Sequence, residues 1–372
     1  MKIAISAGAV ILMAVLLYGV RERALDGSND FMPLYVAAQV WGTEDLYRAE
    51  PYFDFQVERF GAMNESLRFT RLPFYSILLA PLGLFEYETA YLLWVLLRVA
   101  AIVGFVMLWP AGASKADTAL FVCLSLPVFT ALITGQDVLL VLPLIALAVR
   151  YEPTRPFISG LALSLCAIKF HLFVFLPVLF LAQRRWDVVK GFAAGGAALL
   201  ALSFAAGGWN WPAAYYGTLT DGRVHPGALN MPNLHGIGLA MPLELAACAL
   251  VGFGAWFAMR RTSFEIGLAV ALIGGLLVSY HAYVMDGVIL LPALLAVLVR
   301  AQAEWLKLAS VLMLSPLLPM MLVSGRPYSY MMQVGLALFF LALVAWARQS
   351  QSQPAESVRL ITVEPMVGTS SR

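Results

Sequence analysis

Apolar residues run through this chain in long blocks separated by short polar connections. The blocks fall at about 3–20, 89–109, 117–134, 137–149, 157–169, 172–183, 188–208, 240–259, 264–281, 286–300, 305–323 and 330–347. An α-helix rises about 1.5 Å per residue, so crossing ~30 Å of hydrocarbon takes roughly 20 residues. Segments 137–149, 157–169 and 172–183 are too short for that, and the last two are expected to pair as a hairpin turning back inside the protein. The pattern predicts an all-α polytopic membrane protein, a bundle of about 10–12 transmembrane helices forming one domain over 1–347.

Two long polar interruptions break the rhythm, at 21–88 and 209–239. In the first, Phe31, Leu34, Tyr35, Ala38 and Trp41 share a helical face, which predicts an amphipathic helix lying along the membrane surface. The stretch "RFTRLPFYSILLAPLGLF" (68–85) carries Arg68 and Arg71 ahead of an apolar run too short to cross, so it reads as re-entrant or surface-lying. "GFAAGG" (191–196) has small residues at the spacing of close helix contact. The tail 348–372 is polar and expected to be disordered and cytoplasmic.

Basic residues set the sides. One group of short connections holds Lys115, Arg150, Arg155, Arg184, Arg185, Lys190, Arg260, Arg261, Arg300, Lys307 and Arg348, and the other holds Lys169, Arg223 and Arg326. The positive-inside rule makes the first group cytoplasmic. Both termini are then expected inside, with 21–88 and 209–239 outside. "RERALDG" after the first block is a poor cleavage site, so the first helix is expected to be retained.

Composition agrees and adds exclusions. Of 372 residues, 61% are hydrophobic and 12% charged, about half the usual charge content of a soluble domain. The net charge of +2 is spread over helix ends and gives no reason to expect a nucleic-acid partner. Cys123, Cys166 and Cys248 lie within apolar blocks, which suits core packing better than disulfides or metal ligands. Phosphate-cradling P-loop, GxGxxG and HExxH motifs are absent from the sequence.

On this topology the chemistry-bearing residues gather at the outer face: Asp30, Gln136, Asp137, Lys169, Asn233, Asp286, and the histidines 171, 225, 235 and 281. Asp30 reads either as the N-cap of the helix starting "FMPLY" or as a reactive carboxylate, and the two are compatible. His281 and Asp286 flank an outer junction, where they are either solvated turn residues or groups facing the bundle interior. Lys169 either snorkels to water or neutralises a bound phosphate. Arg98, inside a block, is expected to find a partner within the bundle.

Six stretches in order, covering roughly residues 29 to 295, resemble the motifs of glycosyltransferase family 87, a polytopic family of the GT-C fold class. "DFMPLYVAAQVWGTEDLY" is similar to its D-F-x-x-Y-x-A-A opening, and "LPFYSILLAPLGLF" to F-x-Y-P-P, with Leu72 where the first proline stands. "GQDVLL" resembles G-Q-x-N-x-L-L, with Val138 at the asparagine. "AIKFHLF" resembles the A-x-x-K-P segment, with Phe170 at the proline. "NLHGIG" is similar to N-x-S-x-x-G, with His235 at the serine, and "SYHAYVMD" to S-x-H-x-x-x-Y-D, with Met285 at the tyrosine.

The resemblance implies sugar transfer, typically of mannose, from a polyprenyl-phosphate donor to an outer-face lipid or glycan acceptor. It implies an inverting reaction with Asp30 as general base, Lys169 on the lipid phosphate, His281 orienting donor or acceptor, and Asp286 supporting the site from behind. His171, Gln136, Arg71, Asn233, His235 and Tyr35 complete the expected donor- and acceptor-binding set. Such an enzyme would sit in the plasma (inner) membrane with its site on the periplasmic or extracellular face. Neither a cofactor nor a metal is implied, although Asp30 and Asp286 could share a divalent ion. The residues agree: a phosphate leaves without needing an acid, so one base and some positive charge suffice, whereas most glycoside hydrolases need two carboxylates. The rival reading is a multi-pass transporter or flippase of a lipid-linked substrate, with a structural or assembly factor third. Many transporters have repeated halves, and the long 21–88 segment breaks any such symmetry here.

Overall fold

The computed structural model describes residues 2–110, 112–224 and 230–349, so His225 and residues 350–372 of the tail lie outside the described residues. It is helical throughout, and every apolar block is realised as a helix or as consecutive helical pieces. Among the described residues, four helices are long and apolar enough to cross a membrane: Tyr87–Leu108, Trp186–Gly207, Met241–Met259 and Ser329–Gln349. Two bent pairs raise this to six, Lys115–Leu124 with Leu126–Ile133 (63°) and Glu304–Leu314 with Leu317–Val323 (44°). Both breaks fall at a Ser-x-Pro or Ser-Pro sequence, Ser125 with Pro127 and Ser315 with Pro316, where proline removes a backbone donor and disfavours continuation. The protein is thus an all-α polytopic membrane protein in which several blocks are shorter helices, among them Phe264–Val278 and Pro156–Leu172. There the span count differs from the expected ten to twelve.

Glycines bring two helices to backbone contact. A Cβ on Gly191, in Trp186–Gly207, would lie 2.0 Å from the carbonyl oxygen of Phe157. One on Gly160, in Pro156–Ser164, would lie 2.1 Å from that of Val188. The small-residue spacing in 191–196 therefore marks a close helix crossing. Arg98 is fully buried in Tyr87–Leu108, and its Nη1 donates to the carbonyls of Ala131 and Leu132 (2.9 Å each) at the end of Leu126–Ile133, where helix carbonyls lack partners and favour cations.

The hydrophobic interior forms two clusters. The larger gathers the bundle helices, with Met13 of the first helix and residues from Phe105 to Ala347. The second is built from the 21–88 segment packed on Tyr87–Leu108, with Phe31, Tyr35, Tyr52, Phe69, Phe74 and Trp94 at its centre. The helix Phe31–Gln39 corrects the surface-lying expectation: all eight residues from Phe31 to Ala38 are buried. Trp41, which follows it, is exposed. The helix is apolar nearly all round, which is the signature of a core helix. Phe74–Leu79 and the 3₁₀ segment Ala80–Leu84 pack under it and do not cross.

Candidate active site

The start of Phe31–Gln39 docks against the loop 134–136. Gly135 makes the approach possible: its φ is +76°, and a Cβ there would fall 2.3 Å from Asn29 Oδ1 and 3.0 Å from the Phe31 amide nitrogen. The Asp30 amide donates to the Thr134 carbonyl (3.1 Å), and Trp94 Nε1 holds the Gly135 carbonyl (2.8 Å). Capping falls to Asn29, whose Oδ1 accepts from the Phe31 amide (3.0 Å). The Asp30 side chain makes no cap hydrogen bond. Instead, Asp30 Oδ2 accepts from Gln136 Nε2 at 2.7 Å.

Gln136 in turn is held by Lys169, whose Nζ donates to Gln136 Oε1 (2.9 Å) and Asp286 Oδ1 (3.0 Å) and lies 3.4 Å from Asp137 Oδ1. An amide whose oxygen faces an ammonium must present its N–H groups on the other side, toward Asp30. Lys169 sits at a break in its helical segment (φ −125°, ψ 45°), which turns the side chain inward. It is 3% exposed, so it does not snorkel. Its three donors face three acceptors, so the geometry does not favour the role of phosphate ligand expected for it. Arg71 grips Asp137 with its fork, Nε to Oδ2 at 2.7 Å and Nη2 to Oδ1 at 3.0 Å. Asp286 also accepts from the Tyr283 amide (2.9 Å).

Two cations, Arg71 and Lys169, therefore meet two carboxylates, Asp137 and Asp286. Asp30 is the third carboxylate, hydrogen-bonded through its side chain to a neutral amide. It is half-buried, on the wall of a recessed cavity. Burial accordingly pushes its carboxyl above the usual range, opposed first by the Gln136 hydrogen bond and then by the charges of Lys169 and Arg71.

The cavity is about 330 Å³ and is lined by Asp30, Pro33, Leu34, the 66–71 loop, Gln136, Lys169, Val224, His281, Tyr283, Met285 and Asp286. Of the residues expected at the site, Asp30, Arg71, Gln136, Lys169, His281 and Asp286 are brought together here. His171 stands behind His281, ring centroids 6.3 Å apart, and its buried Nε2 has no hydrogen-bond partner. Besides His171, three expected residues do not line the cavity. Tyr35 donates to the Phe85 carbonyl within the second core (2.8 Å). Asn233 caps the short helix Leu234–Ile237 and donates to the Ser279 carbonyl (2.7 Å), tethering the loop that carries His281. His235 pairs with Glu244 (3.0 Å) and stacks near Tyr280. Sequence reasoning missed Thr70 and Tyr283 as lining residues, and Asp137 as the partner of Arg71. Among the described residues, no group of three or more His, Cys, Asp or Glu is disposed to hold a metal.

The family model for glycosyltransferase family 87 matches residues 69–325, well over half of the chain. The chain belongs to glycosyltransferase family 87. No curated protein and no solved structure matches it. The matched region of this family 87 glycosyltransferase contains Arg71, Gln136, Lys169, His281 and Asp286, whereas Asp30 precedes it. Membership of Asp30 in the site thus comes from the geometry, through Gln136. Of the positions where family 87 motifs are departed from, Met285 lies on the cavity wall.

Proposed function

We propose that the protein transfers a hexosyl unit, mannose by family habit, from a polyprenyl-phosphate donor to a lipid or glycan hydroxyl, with Asp30 as the general base. The observation that carries this reading is the charge arrangement: Asp30 faces the cavity with an amide as its side-chain partner, while the neighbouring carboxylates are tied to Arg71 and Lys169.

The acceptor oxygen attacks the anomeric carbon from the Asp30 side, and Asp30 takes the hydroxyl proton. The bond from anomeric carbon to phosphate oxygen breaks, and its electron pair leaves with the polyprenyl phosphate. In-line displacement inverts the centre, from a β-linked donor to an α-linked product. Gln136 holds Asp30 Oδ2 and leaves Oδ1 for the acceptor. Lys169 acts through Gln136 and Asp286 as a positioning residue, and His281, which also lines the cavity, orients a substrate hydroxyl. A cavity of about 330 Å³ is at the small end of ligand sites, so it takes the sugar-phosphate head while the isoprenoid tail lies outside along apolar surface. The reading places this site on the outer face of the plasma membrane with both termini inside, as the distribution of basic residues supports.

The test is transfer by detergent-purified protein given polyprenyl-phosphate-mannose and a membrane lipid extract, wild type beside Asp30→Asn. Loss of about 10²–10⁴-fold in kcat for the variant is expected of a general base. Equal rates would keep the enzyme and reject Asp30.

A further inference from the structure

The cations lining the cavity are not equally satisfied. Arg71 spends its fork on Asp137 and its Nη1 on Thr70 Oγ1 (3.0 Å), and Lys169 is saturated as described. Arg68 differs. It lines the same cavity, its side chain is 7% exposed, and its Nη2 donates to Asp221 Oδ2 at 2.5 Å. Its Nε is buried without a hydrogen-bond partner. Asp221 is itself divided: Arg223 Nε reaches both of its oxygens (3.0 and 3.2 Å) and Arg223 Nη2 one of them (2.7 Å). The Arg223 hydrogen bonds, and then that from Arg68, hold the Asp221 carboxyl well below the usual range, so it remains ionised. Arg223 continues outward to Glu65 (3.3 Å), and both of those side chains are largely exposed, where water screens them. The buried guanidinium of Arg68 is left with a share of one carboxylate.

A guanidinium carries five N–H donors in a planar fork suited to phosphate oxygens, and burying it with donors unmet is unfavourable. A tetrahedral anion has acceptors to spare and can take one edge of the fork while Asp221 keeps the other. We propose that Arg68 is the ligand of the donor's phosphate, holding the polyprenyl-linked phosphate in the cavity before transfer and the polyprenyl phosphate product after it. This rests on the proposed function, and it moves the phosphate away from Lys169. Asp221 positions the guanidinium and competes with the anion for it.

Farnesyl phosphate, a short polyisoprenyl phosphate, serves as probe in calorimetric titration of the detergent-purified full chain. Arg68→Met should bind it about 10–100-fold more weakly, the range of charge-assisted hydrogen bonds. Asp221→Asn should bind it several-fold more tightly, a gain that a misfolded variant cannot produce. Inorganic phosphate should compete with the probe in the wild type. In turnover, Arg68→Met should raise the KM for donor while the pH midpoint of kcat stays where it is. Unchanged binding by Arg68→Met, or equal losses in Arg68→Met and Asp221→Asn, would overturn the assignment and leave the donor class standing. Inorganic phosphate that binds without displacing the probe would also overturn it. A wild type that does not bind farnesyl phosphate would instead remove the polyprenyl-phosphate donor, and this inference with it.

Discussion

A carboxylate works as a base only while ionised, and Asp30 is in surroundings that disfavour its charge. The acid limb of the rate–pH profile should therefore report Asp30: activity falls as pH drops through its raised pKa. Gln136→Met keeps the bulk but removes the hydrogen bond that lowers that pKa, so the limb should move to higher pH. A pH profile of kcat checks this, and an unmoved limb would mean that another group titrates. Asn29→Ala separates the cap from the chemistry. It should lower the thermal midpoint, by about 0.5–2 kcal/mol of stability, while leaving that limb in place. Asp30, Gln136, Lys169 and Asp286 were legible in the sequence because polar groups beside apolar blocks need partners. Which partners they take was not legible. The bonds from Lys169 to Gln136 and Asp286 span 33 and 117 residues of chain, and no local pattern encodes such pairings. That Asn233, His235 and Tyr35 fall outside the cavity lining was not legible for the same reason. Each satisfies a nearby carbonyl, amide or carboxylate, which leaves no mark distinguishable from a site role.

At the scale of elements, the crossing of Pro156–Ser164 with Trp186–Gly207 offers an internal control. Gly191→Ala would set a methyl against the Phe157 carbonyl, so the helices must part, at a cost of about 1–3 kcal/mol. Gly196, one turn and a half along the same helix, has nothing within 4 Å of a Cβ. Gly196→Ala should be neutral or stabilising by up to about 1 kcal/mol through helix propensity. Thermal midpoints in detergent compare them, and equal midpoints would deny the close crossing. Small-residue spacing revealed this contact because it is a property of one strip of sequence. The helix Phe31–Gln39 was legible as a helix but not in its setting. A stripe of apolar residues is shared by surface-lying and core helices, and the difference here comes from Tyr87, Tyr91 and Trp94 closing over Phe31 and from Phe74–Leu84 packed against the helix.

Across the whole molecule, hydrocarbon content and block length sufficed for the all-helical polytopic class, while bends at prolines and short helices blurred the number of crossings. The electrostatics of the site also belong to this scale. Asp30 and Asp286, the pair that could have shared a divalent ion, are linked instead through Gln136 and Lys169. Turnover should therefore withstand EDTA, and a loss restored by Mg²⁺ or Mn²⁺ would contradict that. The two hydrophobic clusters have a further consequence. Asp30 adjoins the cluster built from the 21–88 segment, whereas Asp137 and Asp286 adjoin the bundle cluster. The reactive centre is thus a seam whose two sides are stabilised by different interiors. Such interiors can loosen separately, and a seam fails when either one does. On gentle warming the enzyme should fall silent while its circular dichroism still reads as intact helix, and cooling should bring the rate back.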